Sequence, residues 1–143
     1  MHSIRESQSG WRNGVFIWPV RVYIEDVDAG GIVYHANHLK YAERARTEML
    51  AAGGLRHAEV MQQGGMIVVG RLAIEYLKPL KLEEDLLVKT RVLEMGSASA
   101  RLEQLIERDG QVAAKLEVGL VYLGANGCPA RWPETLERAM NQA

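Results

Sequence analysis

The chain has 143 residues, 17 basic and 18 acidic, and nearly half of them are hydrophobic. That length suits one domain burying about 70% of its unfolded surface, so its core needs no staples. A net charge of −1 gives it no bulk attraction for nucleic acid or an anionic membrane, although basic residues can still cluster around a phosphorylated ligand.

Residues 1–17 mix Arg, Glu, Ser, Gln and Gly without an apolar run of signal-peptide length, and read as a flexible tail. No later stretch approaches the roughly 18 apolar residues of a membrane span. Cys128 is the single cysteine, set in Asn126-Gly127-Cys128-Pro129. An intrachain disulfide is therefore impossible, and a reducing, cytoplasmic compartment is expected.

Trp18-Pro19 opens a β-rich segment from Val20 to Ile24. An acidic turn follows. Leu39, Ala42, Ala45 or Arg46, Met49 and Leu50 then share one stripe of a helix running from Asn37 to about Ala52, with Gly53-Gly54 as its stop. Asn37 is its expected N-cap, with Tyr34 or His35 as alternative starts. Arg44 and Glu48 form an i,i+4 pair on the polar face. Leu55, Ala58 and Met61 mark a short second helix over 55–63.

Four alternating runs come next. Val68, Leu72, Ile74 and Tyr76 alternate through a strand ended by Pro79; Leu86, Val88, Thr90 and Val92 form another. After Gly96-Ser97, Ala100, Leu102, Gln104 and Ile106 alternate with polar neighbours. Asp109-Gly110 signals a hairpin into Val112, Ala114, Leu116, Val118, Leu120 and Tyr122. Pro133 starts a helix to Met140. The divisions are a tail (1–17), one α+β domain (18–125) and a C-terminal extension (126–143). A five-stranded antiparallel sheet with one long helix to cover it leaves edges and apolar surface exposed, for which pairing with a second copy is the usual remedy.

The candidate site lies in Glu25-Asp-Val-Asp-Ala-Gly-Gly-Ile-Val-Tyr-His35. Asp28, before Ala-Gly-Gly, is first of all a turn residue. Three acids in four residues, however, raise one another's pKa, and that is a strange choice beside a core. Gly30-Gly31 permits close backbone approach. The amides of Val33 to Asn37 are expected at a helix start, unpaired and favourable to negative charge, where an acyl oxygen would be polarised. His35 is either a capping or core histidine or a contact to the reacting group. His35 and His38 fall short of the i,i+4 spacing and third ligand of a helical zinc site, so no metal is expected.

Trp18-Pro-Val-Arg-Val-Tyr-Ile-Glu-Asp-Val-Asp-Ala-Gly-Gly-Ile-Val-Tyr-His-Ala36, Tyr41-Ala-Glu-Arg-Ala-Arg-Thr-Glu-Met-Leu50 and the run Val68 to Pro79 resemble the acyl-CoA thioesterases associated with the Tol–Pal system. These belong to the 4-hydroxybenzoyl-CoA thioesterase-like branch of hotdog proteins. The resemblance implies a sheet wrapped round one helix, homodimers that join their sheets, often homotetramers, and active sites at the dimer interface. It makes Asp28 the catalytic carboxylate, as nucleophile or general base. Backbone near Val33–Tyr34 would form the oxyanion hole, Gly31, Ile32 and Val33 would contact the substrate, and His35 would help place or polarise the thioester. Ile24 stands where close relatives carry a tyrosine, and Gly70 and Gly96 where they often carry arginines. Arg71, Lys89, Arg91 and Arg101 are the substitutes on offer for the phosphates of coenzyme A, and Ser97 and Ser99 match the family's small hydroxyl residues. Coenzyme A enters only as part of the substrate; no other cofactor is implied. The rival reading is a hotdog module that holds acyl-CoA or an acyl carrier protein without turnover. A hotdog hydratase, the third, has no matching block around this helix.

Overall fold

The computed structural model describes residues 9–142. Two Xaa-Gly pairs build its tightest hairpins. Asn13-Gly14 (φ 52° and 78°) joins β1 (Gly10–Arg12) to β2 (Val15–Arg21). Asp109-Gly110 (φ 52° and 77°) joins β5 (Ser99–Arg108) to β6 (Gln111–Leu123). Positive φ at both central residues is what the two-residue turn demands, and Asn, Asp and Gly accept it most readily. With β3 (Met66–Tyr76) and β4 (Asp85–Met95), these strands form one antiparallel sheet in the order β1-β2-β4-β5-β6-β3.

The sheet therefore has six strands, not five. The extra one comes from residues 10–12, inside the stretch read as a tail. Its Asn13-Gly14 signal is as strong as Asp109-Gly110 but lies beside no clear apolar alternation. β2 also starts earlier than expected and stops at Arg21, so Val22–Ile24 is not strand. Pro19 is tolerated inside β2 because β1 pairs only as far as Ile17, and Pro19 faces a partner strand on the β4 side alone.

The helix expected from Asn37 to Ala52 forms over those bounds as α1 (Asn37–Ala52). It is not the only helix: α2 (His57–Gln62) and α3 (Glu134–Met140) accompany it. Ala42 and Ala45, both fully buried, let α1 lie close against the inner residues Leu86, Val88, Leu102, Ile106, Leu116 and Val118. Tyr41 and His38 join the buried side of α1, widening the expected stripe. The ion pair Arg44–Glu48 is not formed among the described residues; Arg46 instead approaches Glu43 at 3.5 Å. In α2, Val60 is buried while Met61 is exposed and Ala58 faces outward. At the end of α1, a Cβ on Gly53 would stand 2.8 Å from the Cβ of Ala139, so glycine lets α3 pack there. Trp132 and the α3 residues Leu136, Ala139 and Met140 are buried, so this part of the C-terminal extension packs into the core.

β3 is the longer of the two edge strands, β1 being the other. Met66, Val69, Leu72 and Tyr76 are exposed along β3, and Leu77 continues the row. Eleven residues of unpaired, largely apolar edge are a template for another strand.

Candidate functional site

The acids of the 25–35 loop divide by environment. Asp26 is buried, 4% exposed, and its carboxylate accepts from Tyr23 N (2.9 Å) and Asn37 Nδ2 (3.0 Å). It ties the short 3-10 turn Ile24–Asp26 to the first residue of α1. Asn37 is thus helical and occupied with Asp26, not the N-cap; Ala36 holds that position without a side-chain bond. The fully buried Tyr41 hydroxyl stands beside this carboxylate without a hydrogen bond of ordinary geometry. Burial first, then the Asp26 charge, pushes its pKa upward.

Asp28 is exposed at the tip of the loop. Its Oδ1 accepts from the amides of Gly30 (2.9 Å) and Ile32 (3.3 Å), and its own amide donates to Ile32 O. The turn reading of Asp28 is therefore realised, with Gly31 at φ 78° closing the turn. Oδ2 has no hydrogen-bond partner among the described residues.

The expected unpaired amides move. Val33 N donates to Leu80 O (2.8 Å), Tyr34 N to Asp26 O (2.9 Å) and Asn37 N to Tyr34 O (2.8 Å). The loop folds back as a small ribbon, with bridges Val27–Val33 and Ile32–Lys81, and this consumes those donors. The oxyanion-hole assignment to Val33 and Tyr34 is thus corrected. Between Val33 and Asn37, the amides of His35 and Ala36 have no backbone acceptor among the described residues. They lie at the start of α1, where the helix favours negative charge.

His35 is exposed, its ring 4.4 Å from that of Tyr34, itself 49% exposed. No hydrogen bond joins His35 to Asp28. The His35 carbonyl is held from two sides, by Tyr76 Oη at 2.7 Å and His38 Nδ1 at 3.1 Å. The Tyr76 ring meets the His38 ring edge-on at 4.9 Å. Burial, the largest cause, lowers the His38 pKa from its ordinary 6.5, so His38 is a neutral positioning group at neutral pH. Tyr76 was legible as an element of the later strand but not as a support for the loop.

A second cluster lies on the outer face of the sheet. Gly70, Arg71, Gly96, Ser99, Arg101 and Gly119 line a groove of about 610 Å³, with Glu94 and Glu117 on its walls. Arg71 and Ser99 are thus brought together, whereas Ser97 is not part of the lining and its carbonyl accepts from Trp132 N. Arg71 is exposed and has no ion pair among the described residues. The other candidates are engaged: Lys89 with Glu107 (3.0 Å), Arg91 with Glu103 (2.9 Å) and Arg101 with Glu117 (3.1 Å). A Cβ at Gly96 would stand 2.7 Å from Ser99 Oγ, so the glycines hollow this groove. Ile24 is 73% exposed in a cleft with Tyr23 and Leu82, and Ile67 lines a separate groove beside α1. Among the described residues, no three His, Cys, Asp or Glu converge as metal ligands do, and no helix is long and apolar enough to cross a membrane.

Residues 22–140 match the model of the thioesterase-like superfamily. The chain belongs to that superfamily. It is 38% identical over 129 residues to the acyl-CoA thioesterase YbgC of Haemophilus influenzae, covering 88% of this chain and 94% of that one. With the acyl-CoA thioester hydrolase YbgC of Escherichia coli O157:H7 it shares 36% over 108 residues, 75% of this chain and 81% of the relative. A probable thioesterase of Bartonella henselae superposes with a TM-score of 0.80 at 28% identity, over 83% of this chain and 99% of that one. The hotdog fold of this superfamily accommodates the six strands and three helices described above.

Proposed function

We propose that this chain hydrolyses acyl-CoA thioesters to a carboxylic acid and free coenzyme A, with Asp28 as the reacting carboxylate. The single observation that carries this reading is the division of labour between the two aspartates. Asp26 is buried and fully engaged in holding the loop, while Asp28 keeps one oxygen free on a tip whose other oxygen is fixed by two amides. A carboxylate held in that way meets the positional demand of either a nucleophile or a general base.

The amides of His35 and Ala36 are the donors for the thioester oxygen, and the clamp on the His35 carbonyl fixes the peptide plane that points one of them. Preorganised donors of this kind are worth roughly 100- to 1000-fold each in rate. Tyr34 and His35 supply aromatic and polar contact beside the reacting group. Arg71, uncommitted in the Ser99 groove, is the cation for a coenzyme A phosphate. Self-pairing along β3 joins two sheets and places each active loop at the dimer interface; a tetramer is the further step. A cytoplasmic location and membership of the subfamily associated with the Tol–Pal system complete the reading.

The test is thiol release by the purified chain over short, long and aromatic acyl-CoAs, with binding measured alongside. Turnover of at least one class supports the proposal. Tight binding of acyl-CoA or acyl carrier protein without release of thiol replaces it with the binding-module reading.

A further inference from the structure

A third groove, of about 320 Å³, lies between α1 and the Met66 end of β3. Its apolar walls come mainly from Met49, Met61, Ile67, Val69 and Leu120, while Arg46, Glu43, Thr47 and His57 supply its polar part. The Arg46 side chain is only 11% exposed. Its nearest carboxylate, Glu43, stands 3.5 Å away on the rim with a side chain 72% exposed, so the pair is weak and screened. The guanidinium is aimed from behind. Arg46 Nη1 donates to Gln104 Oε1 at 2.9 Å, and Gln104 Nε2 donates to the Ala42 carbonyl and Thr90 Oγ1, both at 2.9 Å. Gln104 and Thr90 are fully buried. A polar chain of this kind in the middle of a core holds one donor set facing an apolar groove.

Within one chain this groove and Asp28 are far apart. The active loop is bound to Tyr76, nine residues along β3 from Ile67, which is about 30 Å of strand. Antiparallel self-pairing of β3 about its middle reverses that relation. It brings the Tyr76 end of a second copy, with its Asp28 loop, against the Met66 end of the first. In the β3-paired dimer proposed above, the groove would face the Asp28 loop of the neighbouring copy.

We infer that Arg46 is a specificity-determining residue that receives a carboxylate at the far end of the acyl chain, so that the preferred substrates are thioesters of dicarboxylic acids. This rests on the thioesterase reading above and goes beyond it in naming the acyl class. The carboxylate completes the charge-assisted hydrogen bonding that Glu43 leaves unfinished, and the apolar walls take the methylenes between.

The experiment compares kcat/KM of the wild-type protein for glutaryl-CoA and adipyl-CoA with that for hexanoyl-CoA, then repeats the comparison with Arg46→Met and Arg46→Lys. The expected result is at least a tenfold preference for one carboxylate-ended substrate, carried mainly in KM, lost in Arg46→Met and partly kept in Arg46→Lys. Should Arg46→Met fail to fold, phenylglyoxal labelling of wild type decides: glutaryl-CoA protects Arg46 and hexanoyl-CoA does not. Equal or better use of hexanoyl-CoA, a preference that survives in folded Arg46→Met, or equal protection by both overturns the inference and leaves the thioesterase reading standing. Absence of thiol release from every thioester overturns that reading itself.

Discussion

Tyr76, on the β3 edge of the sheet, donates its hydroxyl to the carbonyl of His35 at 2.7 Å. One hydrogen bond thus fastens the active loop to the strand through which two copies are proposed to join. Tyr76→Phe keeps the ring against His38 and removes only this bond. A neutral hydrogen bond contributes about 1 kcal/mol, so kcat is expected to fall roughly fivefold if the bond matters fully at the transition state. The melting temperature should fall by no more than about 4 °C, the shift that a loss of about 1 kcal/mol produces in a domain of this size. Steady-state kinetics beside thermal melts check this.

Asp26 and Asp28 should respond in opposite ways. Asp26→Ala strands the buried Asn37 side chain and removes the acceptor of the part-buried Tyr23 amide; the expected loss of stability is about 2 kcal/mol, read by urea unfolding. Asp28→Asn leaves an exposed turn and should change unfolding by less than about 0.5 kcal/mol.

His38 gives the fold a pH dependence with a definite sign. Burial lowers its folded pKa below the ordinary 6.5, so below 6.5 the unfolded chain binds more protons than the folded one. Its contribution is fully present above pH 6.5 and is lost as pH falls from there through the lower folded value. Urea midpoints measured from pH 7.5 downward should decline over that window, and His38→Gln should flatten the decline.

Gln104 is satisfied by three partners in the core, and it positions Arg46. Gln104→Leu removes these bonds and leaves a largely buried cation without its aiming acceptor. The expected destabilisation is about 2–4 kcal/mol. The double variant Gln104→Leu with Arg46→Met should recover part of it, since the stranded charge is gone. Urea denaturation of both variants and wild type measures the coupling.

Much of this was legible in the sequence wherever a local rule agreed with the packing. α1 was set by helix formers ending at Gly53-Gly54, and β4, β5 and β6 by alternation that the core then used. The β1–β2 hairpin was missed because three residues of strand carry too short a pattern, although Asn13-Gly14 was there to be read. The candidate loop was located by its acids and glycines, but which acid was buried and which amides were free depended on where the loop folds back, against Leu80 and Asp26. No local pattern encodes that contact. Thr90 and Gln104 offered a clearer signal: polar residues at inward positions of two adjacent strands, best explained by one another and by Arg46.

The central claim is tested most directly by comparing Asp28→Asn with wild type over the same acyl-CoA panel in a thiol-release assay. The account predicts a loss of about a thousandfold in kcat with the melting curve and oligomeric state unchanged. Turnover within a few-fold of wild type would contradict it and remove Asp28 from the chemistry.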